Sequence, residues 1–334
     1  MSSKTIKSVA LVGLGSIGRR HLRLLKAMRP EIEVILVRSG HGSSWPEETL
    51  SKESVSSIDE AIAKSIDAAI ISSPAPYHVQ QAIQFLKADI PLLIEKPLSH
   101  NMDDIQELKD LSDRMRVPIP ILVGYVLRHS VDLRCFHEMA TKQAVGRAIG
   151  VLIECGSYLP DWRPEQDYRM TASAREDLGG GVLLELSHEL NYANWLFGPF
   201  QSVEATLLNS GALDIDVEDT ADLILTSKSG LKISIHLDFC GPDAIRQCTL
   251  EGSEGRLAWD GIAHSVRLQN DSGETRFWPF TIERDAMYKE QMRHFLSCIE
   301  KGDPPKVTLD DGIAVMTLIE AARRSNREGA VVQL

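Results

Sequence analysis

The sequence predicts an α/β protein in which a doubly wound parallel sheet precedes an α+β domain with a mostly antiparallel sheet. Two observations predict this division. Nearly continuous apolar segments alternate with helical patterns up to residue 124, as in parallel strands that are buried on both faces. Beyond that residue, candidate strands follow one another with turn signals between them. A chain of 334 residues has room for two domains, which we place at residues 1–124 and 125–334.

The first domain is predicted to alternate strands and helices along its whole length. Its predicted strands are 9–12, 33–37, 55–56, 67–71, 91–95 and 119–124, and its predicted helices are 17–28, 59–65, 77–87 and 102–116. Right-handed crossovers between parallel strands place such helices on both faces of the sheet. Ligands of these sheets bind beyond the carboxyl ends of the strands.

A glycine-rich motif, Gly-Leu-Gly-Ser-Ile-Gly at residues 13–18, lies between the first strand and the first helix. Gly13 permits a tight turn, Gly15 lets the backbone approach a pyrophosphate, and Gly18 lets the helix pack closely on the strand. The helix N-terminus offers unpaired N–H groups and a partial positive charge to phosphates. The motif therefore predicts a Rossmann dinucleotide site. The residues expected to contact the cofactor here are Gly13, Gly15, Ser16, Ile17 and Gly18.

Arg38 and Ser39 bear on the choice between NAD and NADP. An acid about twenty residues beyond the motif holds the ribose 2′-hydroxyl of NAD. Here that position is Arg38, followed by Ser39. A guanidinium and a hydroxyl suit the 2′-phosphate of NADP, which is therefore the expected cofactor. An arginine can also stack on adenine in an NAD enzyme, so NAD remains the alternative.

Polar residues follow two further strands of the predicted parallel sheet. Residues 72–76 follow the fourth strand, and Glu95-Lys96-Pro97 lies at the carboxyl end of the fifth. Because carboxyl ends of parallel strands meet at one edge, we expect these segments to converge with the glycine motif. The cofactor-site candidates from them are Ser72, Pro74, His78, Glu95 and Lys96. For His78, a position on the helix surface is an equal alternative.

Lys96 is a candidate for proton transfer. A lysine at the end of a buried strand is poorly solvated, and a nearby nicotinamide cation would lower its pKa further. It could then act as donor and proton carrier at a substrate hydroxyl. The alternative is a surface lysine beside a turn proline. The Lys96-Pro97 junction is a candidate cis peptide.

The second domain begins with a predicted strand at 149–157 and a polar, aromatic loop at 158–169. A glycine triplet at 179–181 then opens an apolar helix at 182–197. Further strands are predicted at 203–209, 220–226, 231–239, 247–251, 255–259, 265–269 and 275–280, and two closing helices at 285–300 and 309–325. An open sheet with helices on one face leaves its other face to be covered, so we expect a homodimer or homotetramer.

His188 is the candidate general base of the second domain, because the unperturbed pKa of histidine lies near neutral pH. Glu185, His188 and Trp195 recur at helical spacing and are expected to share a face, on which Glu185 could orient the histidine. The alternative is a partly buried structural histidine. The other histidines that we considered form no usable constellation, and they are His21, His41, His129, His137 and His264.

The polar loop is a candidate sugar pocket. Aromatic rings suit the apolar faces of a sugar, and arginines suit a carboxylate or phosphate attached to it. The substrate-site candidates are Arg128, Tyr158, Trp162, Arg163, Arg169 and Glu185. Two alternatives remain: the loop could simply close over the sheet, and Arg128 could pair with an acid.

Composition excludes several functional classes. A net charge of −11 and a pI near 5.4 argue against a nucleic-acid partner and against a basic membrane-binding surface. We find no apolar run of spanning length and no signal-peptide pattern. The five cysteines show neither a CxxC motif nor metal-ligand spacing, so we expect a cytoplasmic protein with free thiols and no metal site.

These motifs together resemble the glucose–fructose oxidoreductase / inositol dehydrogenase (Gfo/Idh/MocA) family of pyridine-nucleotide oxidoreductases over nearly the whole chain. The segments that carry the resemblance are 13–18, 95–97, 124–128, 179–188 and 287–295. It implies that Lys96 and His188 are catalytic. It also implies hydride transfer between nicotinamide and a hydroxyl-bearing carbon of a sugar, nucleotide sugar or sugar acid. The alternatives are an NAD-dependent glycosidase of the same family and a non-catalytic dinucleotide-binding sensor or scaffold.

The chain departs from the family pattern around the histidine. Many members carry an acid four residues before it and an aspartate three residues after it, where this chain has Leu184 and Asn191. Whether Glu185 assists His188 is therefore open. The segments 158–164 and 185–189 resemble a subgroup from bacterial surface-sugar pathways.

Overall fold

The computed structural model describes residues 5–40 and 43–334, so that His41 lies outside the described residues. The chain divides into two compact units. The first unit comprises Met1–Val126 and Asp285–Ile313, and the second comprises Leu127–Arg284 and Ala314–Leu334. Each unit has its own sheet, and together they confirm the predicted combination of a parallel α/β sheet with an α+β domain.

Within the described residues, the first unit contains a six-stranded parallel sheet. Its strands are β1 (Ser8–Val12), β2 (Glu33–Val37), β3 (Glu53–Val55), β4 (Ala68–Ile71), β5 (Leu92–Ile94) and β6 (Ile121–Val123). The connecting helices are α1 (Ser16–Met28), α2 (Ile58–Ala63), α3 (His78–Lys87) and α4 (Ile105–Asp113). The strand order is β3-β2-β1-β4-β5-β6. Strands β2 and β3 are added on one side of β1, and strands β4 to β6 on the other, so the order of strands reverses between β1 and β4. This reversal is where doubly wound sheets bind ligands.

The register of the parallel sheet aligns the ends of its strands. Val12 pairs with both Val37 and Ile71, and Ile94 pairs with both Ile71 and Val123. The residues that follow β1, β2, β4, β5 and β6 therefore emerge at the same edge. All five residues of β1 and all four of β4 are buried, as expected for strands covered on both faces.

The second unit contains a mostly antiparallel sheet that has nine strands over the described part of the chain. These are β7 (Ala148–Gly156), β8 (Phe200–Leu208), β9 (Thr220–Ser227), β10 (Lys232–Asp238), β11 (Ile245–Gly252), β12 (Gly255–Asp260), β13 (Ser265–Asn270), β14 (Thr275–Pro279) and β15 (Val332–Gln333). Their order is β14-β13-β12-β11-β7-β10-β9-β8-β15, and β7 and β10 are parallel. Its helices before residue 285 are α5 (Val131–Thr141), α6 (Val182–Glu185) and α7 (His188–Phe197). Helix α5 was not predicted from the sequence.

The apolar helix predicted at 182–197 is wrong as a continuous element, because it breaks between α6 and α7 at Leu186 and Ser187. The backbone tightens there into three-residue hydrogen bonds: the Ser187 N–H donates to Leu184 O and the Glu189 N–H donates to Leu186 O. Glu185 and His188 lie on either side of this break, so the expectation of one shared helical face does not hold.

The compact units divide the chain differently from the predicted domains 1–124 and 125–334, because Asp285–Ile313 belongs to the first unit. Helix α8 (Ala286–Lys301) buries Met292, Phe295 and Leu296 in the core of the first unit, together with residues of α1 and the parallel sheet. Helix α9 (Leu309–Glu328) contributes residues to both units. None of the helices in residues 5–40 and 43–334 combines the length and apolarity needed to cross a bilayer.

Candidate functional site

The turn after β1 requires glycine at two positions. Gly13 has a φ of +83°, and a Cβ there would lie 2.9 Å from the carbonyl oxygen of Ser72. A Cβ on Gly18 would lie 2.4 Å from the carbonyl oxygen of Gly13. These approaches are closer than any side chain allows, and they let α1 begin directly above the ends of β1 and β4.

Gly15 is different, because a Cβ there would have no described heavy atom within 4 Å. It precedes the first turn of α1, where no side chain of the described residues caps the helix and no acid is present. Gly15 and Ser16 are exposed, and Ile17 is half-buried. An uncapped helix N-terminus beside open space suits a pyrophosphate, so these residues fit a bound dinucleotide.

Ser72 and Pro74 take different places after β4. Ser72 is buried, and its hydroxyl lies 2.8 Å from Val12 O and 3.0 Å from Gly13 O, so that it fixes the glycine turn from below. Pro74 is exposed and precedes a short 3-10 turn, Ala75–Tyr77. Ser72 thus supports the glycine turn through its contacts with Val12 and Gly13.

His78 is buried, so the alternative of a helix-surface position is wrong. Its Nε2 lies 2.7 Å from Ser73 O and its Nδ1 lies 2.9 Å from Pro97 O. Burial lowers the pKa of His78, while the two carbonyl oxygens oppose that change. The ring therefore connects the turn after β4 to the turn after β5.

Glu95 points into the first unit. Its Oε1 lies 2.6 Å from His21 Nε2, and its Oε2 accepts a hydrogen bond of 3.2 Å from the backbone N–H of Lys96. The Lys96-Pro97 peptide bond is cis. His21 was not predicted to belong to a site, although it lies one helical turn beyond Gly18 on a predicted helix. Through Glu95, His21 connects α1 to the turn that carries Lys96.

Tyr288 is a second residue whose place here was not predicted from the sequence. It lies in α8, and the guanidinium carbon of Arg20 lies 4.4 Å from the centroid of its ring. Burial and the Glu95 carboxylate raise the pKa of Tyr288, while Arg20 and Lys96 act in the opposite direction. Its position near Glu95 and Lys96 was missed because α8 was assigned to the other domain.

Arg38 follows β2 at the same edge of the parallel sheet, and Ser39 follows it. The Arg38 guanidinium donates to Glu48 Oε1 at 2.5 Å and to Ser43 O at 2.5 Å. It is therefore already held by an acid and a carbonyl oxygen of the loop that follows β2.

In the second unit, His188 is the first residue of α7 and is half-buried. Glu185 ends α6, and its Oε1 accepts a hydrogen bond of 3.0 Å from the Ser173 hydroxyl. The next residue after the histidine, Glu189, is fully buried and accepts 2.8 Å from Arg246 Nε on β11. This ion pair fixes the first turn of α7 to the sheet.

Arg128 contacts the last turns of α7. Its guanidinium carbon lies 4.4 Å from the centroid of the Trp195 ring, and His137 of α5 stacks on the same tryptophan with centroids 4.0 Å apart. Burial and Arg128 both lower the pKa of His137. The stack orients the arginine and anchors α7 at its second end.

Some residues of the loop at 158–169 fix its position through side-chain contacts, and others are exposed to solvent. Trp162 donates from Nε1 to Ser157 Oγ at 2.8 Å and packs edge-on against Phe239. Arg169 donates to both carboxylate oxygens of Asp167, at 2.9 and 2.8 Å. Tyr158 and Arg163 are exposed.

No group of three or more His, Cys, Asp or Glu side chains in residues 5–40 and 43–334 is placed to hold a metal ion. All five cysteines are free thiols. Burial raises the pKa of Cys155 to about 12, and the neighbouring Glu189 carboxylate adds to this effect. That thiol is therefore protonated at neutral pH.

The model of an oxidoreductase family with an NAD-binding Rossmann fold matches residues 7–124, and the model of its C-terminal alpha/beta domain matches residues 149–334. The chain belongs to this family. The Gfo/Idh/MocA resemblance inferred from the motifs is thereby confirmed, and the protein is an NAD(P)-dependent oxidoreductase.

Individual members of the Gfo/Idh/MocA family align with almost all of the chain. A myo-inositol 2-dehydrogenase from Thermotoga maritima is 25% identical and covers 98% of both chains. A levoglucosan dehydrogenase complex with NADH and levoglucosan superposes with a TM-score of 0.84 at 18% identity, covering 98% of this chain and 99% of the other. The WlbA dehydrogenase from Bordetella pertussis, in complex with NADH and UDP-GlcNAcA, gives 0.81 at 21% identity and covers 99% of each chain.

Alanine substitutions at Gly15 and Gly18 should have different effects. A methyl group at Gly15 enters open space, so the free energy of unfolding should fall by less than about 1 kcal/mol. It also fills the space of the pyrophosphate, and overpacking of about 1–3 kcal/mol corresponds to roughly 5- to 150-fold weaker NADH binding. Gly18→Ala should instead lower the free energy of unfolding by about 1–3 kcal/mol, because its Cβ meets backbone. Urea denaturation and NADH fluorescence titration measure the two effects. Wild-type NADH affinity in Gly15→Ala would contradict the assignment.

Proposed function

We propose that this family member transfers a hydride between a nicotinamide cofactor and a hydroxyl-bearing carbon of a sugar-type substrate. The observation that carries the proposal is the alignment of strand ends in the parallel sheet. The uncapped start of α1, the turn after β4 and the turn with Lys96 emerge at one edge, through the register of Val12, Ile71 and Ile94. A phosphate-binding backbone and a candidate proton donor are thus fixed on the same rigid support.

Lys96 and His188 are proposed as the catalytic residues, as the family resemblance implies. Glu95 accepts the backbone N–H of Lys96 and is itself held by His21, which limits the movement of the lysine backbone. The lysine ammonium would donate a hydrogen bond to the substrate oxygen and stabilise its alkoxide character. His188 would accept or return the hydroxyl proton. A bound nicotinamide accepts or donates the hydride.

The two alternatives are distinguished by their products. An NAD-dependent glycosidase of the same family would return its cofactor to the starting redox state after each turnover. A sensor or scaffold would bind the cofactor without turnover. The fixed Lys96 backbone and the anchored helix of His188 support a catalytic role. A net change in the redox state of the cofactor after a single turnover would identify a dehydrogenase.

Lys96→Met and His188→Ala should each lower kcat by about 10²–10⁴-fold, the usual contribution of acid–base assistance. The NADH dissociation constant should stay close to that of the wild type, because neither change touches the glycine turn. Turnover is followed by NADH absorbance across a panel of sugars and sugar nucleotides. Lys87→Met is the matched control, since Lys87 is an exposed lysine of α3 that pairs with Glu107. Nearly full turnover in His188→Ala would return that residue to a structural role.

For the substrate we propose a sugar with an acidic group, either a nucleotide sugar or a sugar acid. Arg163 and Tyr158 support this proposal because both are exposed on the same loop. Arg169 is less suited to a ligand, because Asp167 and Asp214 already engage it. Arg128, oriented by Trp195, is a further candidate for the acidic group. The UDP-GlcNAcA complex of the WlbA dehydrogenase is consistent with such a substrate.

Arg163→Ala should raise KM for an acidic sugar by about tenfold or more, since a hydrogen bond to a charged group contributes roughly 1.5–3 kcal/mol. Arg169→Ala should raise it less, because the guanidinium is shared with two aspartates. Initial rates with an acidic sugar and with its neutral counterpart measure both effects. Robust activity on neutral sugars alone, unchanged by either substitution, would overturn the proposed substrate class.

NAD(H) is the cofactor that we propose, in place of the NADP preference expected from Arg38 and Ser39. The engagement of Arg38 by Glu48 supports this change, because a paired guanidinium is less available to a 2′-phosphate. The NADH present in the complexes of related dehydrogenases is consistent with it.

We also propose a cytoplasmic homo-oligomer formed through the exposed face of the antiparallel sheet. Side chains alternate along its strands: Ile153, Leu223 and Ile235 are at most 2% exposed. On the opposite face, Leu152 of β7 and Ile224 of β9 are 44% and 37% exposed. Both align with Ser234 of β10, so the two apolar side chains flank a small serine in one row across three strands. Free cysteine thiols suit a reducing cytoplasm.

Replacing Leu152 and Ile224 together by glutamate should dissociate the oligomer, because the charges would have to be desolvated in the interface. Light scattering coupled to size-exclusion chromatography measures the molar mass. Val117→Glu is the control, since Val117 is 70% exposed in the first unit. A monomeric wild-type protein, or an unchanged mass in the double variant, would contradict the proposed interface.

A further inference from the structure

Arg38 lies at the position from which dinucleotide-binding folds read the ribose 2′ substituent. It follows β2 directly, twenty residues after Gly18. Its side chain is only 16% exposed, and both terminal nitrogens have partners. The guanidinium thus has a fixed direction before any cofactor binds.

Glu48, the partner of Arg38, is also held in place by its own hydrogen bonds. Glu48 lies in a 3-10 turn, Pro46–Leu50, and its Oε1 accepts 2.8 Å from the backbone N–H of Trp45 as well as the bond from Arg38. The Trp45 ring packs under the guanidinium of Arg19 on α1, with 3.7 Å from the guanidinium carbon to the ring centroid. The carboxylate is therefore positioned by the loop and not by Arg38 alone.

The loop is tied to the phosphate-binding helix a second time. Glu47 accepts 2.6 Å from Arg23 of α1. The Trp45 N–H, and then Arg38, hold the pKa of Glu48 below its usual value, so the group is a carboxylate at neutral pH. Glu48 thus places a negative charge beside Arg38 at this edge of the parallel sheet.

We propose that Glu48 is a specificity-determining residue that selects NAD(H) against NADP(H). Its carboxylate neutralises Arg38 and can accept a hydrogen bond from a ribose 2′-hydroxyl. It repels a 2′-phosphate, which has no proton to donate at neutral pH and would have to compete with Glu48 for the guanidinium. This inference rests on the proposed function only in that the first unit binds a dinucleotide.

The test compares dissociation constants for NADH and NADPH in wild type, Glu48→Gln, Arg38→Gln and the double variant. Glutamine keeps an acceptor for Trp45 and Arg38, so Glu48→Gln removes the charge and preserves the turn. We expect Glu48→Gln to shift the ratio of the two constants about tenfold towards NADPH, by removal of one like charge. Arg38→Gln should cancel the shift in the double variant, because the guanidinium, no longer neutralised by a carboxylate, is what binds the phosphate.

Glu33→Gln is the matched control. Glu33 begins β2, at the opposite end of the strand from Arg38, and pairs with Lys52 at 2.7 Å. Glu33→Gln makes the same change in net charge without altering Glu48 or Arg38. Its ratio of NADH to NADPH dissociation constants should therefore equal that of the wild type. A wild type that prefers NADPH, or a Glu48→Gln ratio equal to that of Glu33→Gln, would overturn the inference. Fluorescence titration needs no substrate, so failure to find a sugar substrate would count against the proposed function alone.

Discussion

The close approach of α1 to the ends of β1 and β4 is the constraint on which the cofactor side of this protein depends. A Cβ on Gly18 would lie 2.4 Å from Gly13 O and 2.7 Å from the Ser72 hydroxyl, so the helix can lie this close only because residue 18 has no side chain. The same approach brings His21 within 2.6 Å of Glu95. One missing side chain thus determines the glycine turn, the position of the helix N-terminus and the support of the Lys96 turn.

A different arrangement fixes the candidate base of the second unit. Helix α7 is short, and its first residue, His188, directly follows the break between α6 and α7. Local helical structure alone would therefore hold His188 weakly. The pair of buried Glu189 and half-buried Arg246 ties its first turn to β11, and the stack of Arg128, Trp195 and His137 ties its end to α5. Removing Arg246 would leave the buried Glu189 carboxylate uncompensated, which is strongly destabilising. The histidine is therefore positioned by tertiary contacts.

Much of the fold could be predicted because the strands are marked by strong local patterns. Strand β1 is apolar from Val9 to Val12, and the strands of the second sheet alternate buried and exposed residues between clear turn signals. Helix α5 was missed because its buried face is small and includes Asp132, so its apolar periodicity is weak. The place of α8 could not be predicted, since an apolar stripe shows that a helix packs but not against which sheet. The Arg38–Glu48 and His21–Glu95 pairs join residues 10 and 74 positions apart, and no periodicity reports such contacts.

The segment Asp285–Ile313 belongs to the first unit although it follows most of the second unit in the sequence. This order affects how the chain can fold during synthesis. The first 126 residues leave the ribosome long before Phe295, yet the core that they form is completed only by α8. Until then, the apolar surface that α8 covers, next to α1, stays open to solvent and to other chains. N-terminal units usually fold first on the ribosome, but here the nucleotide-binding unit must wait for nearly the whole polypeptide. For the same reason, a fragment ending at the boundary of the parallel sheet would lack part of its own interior.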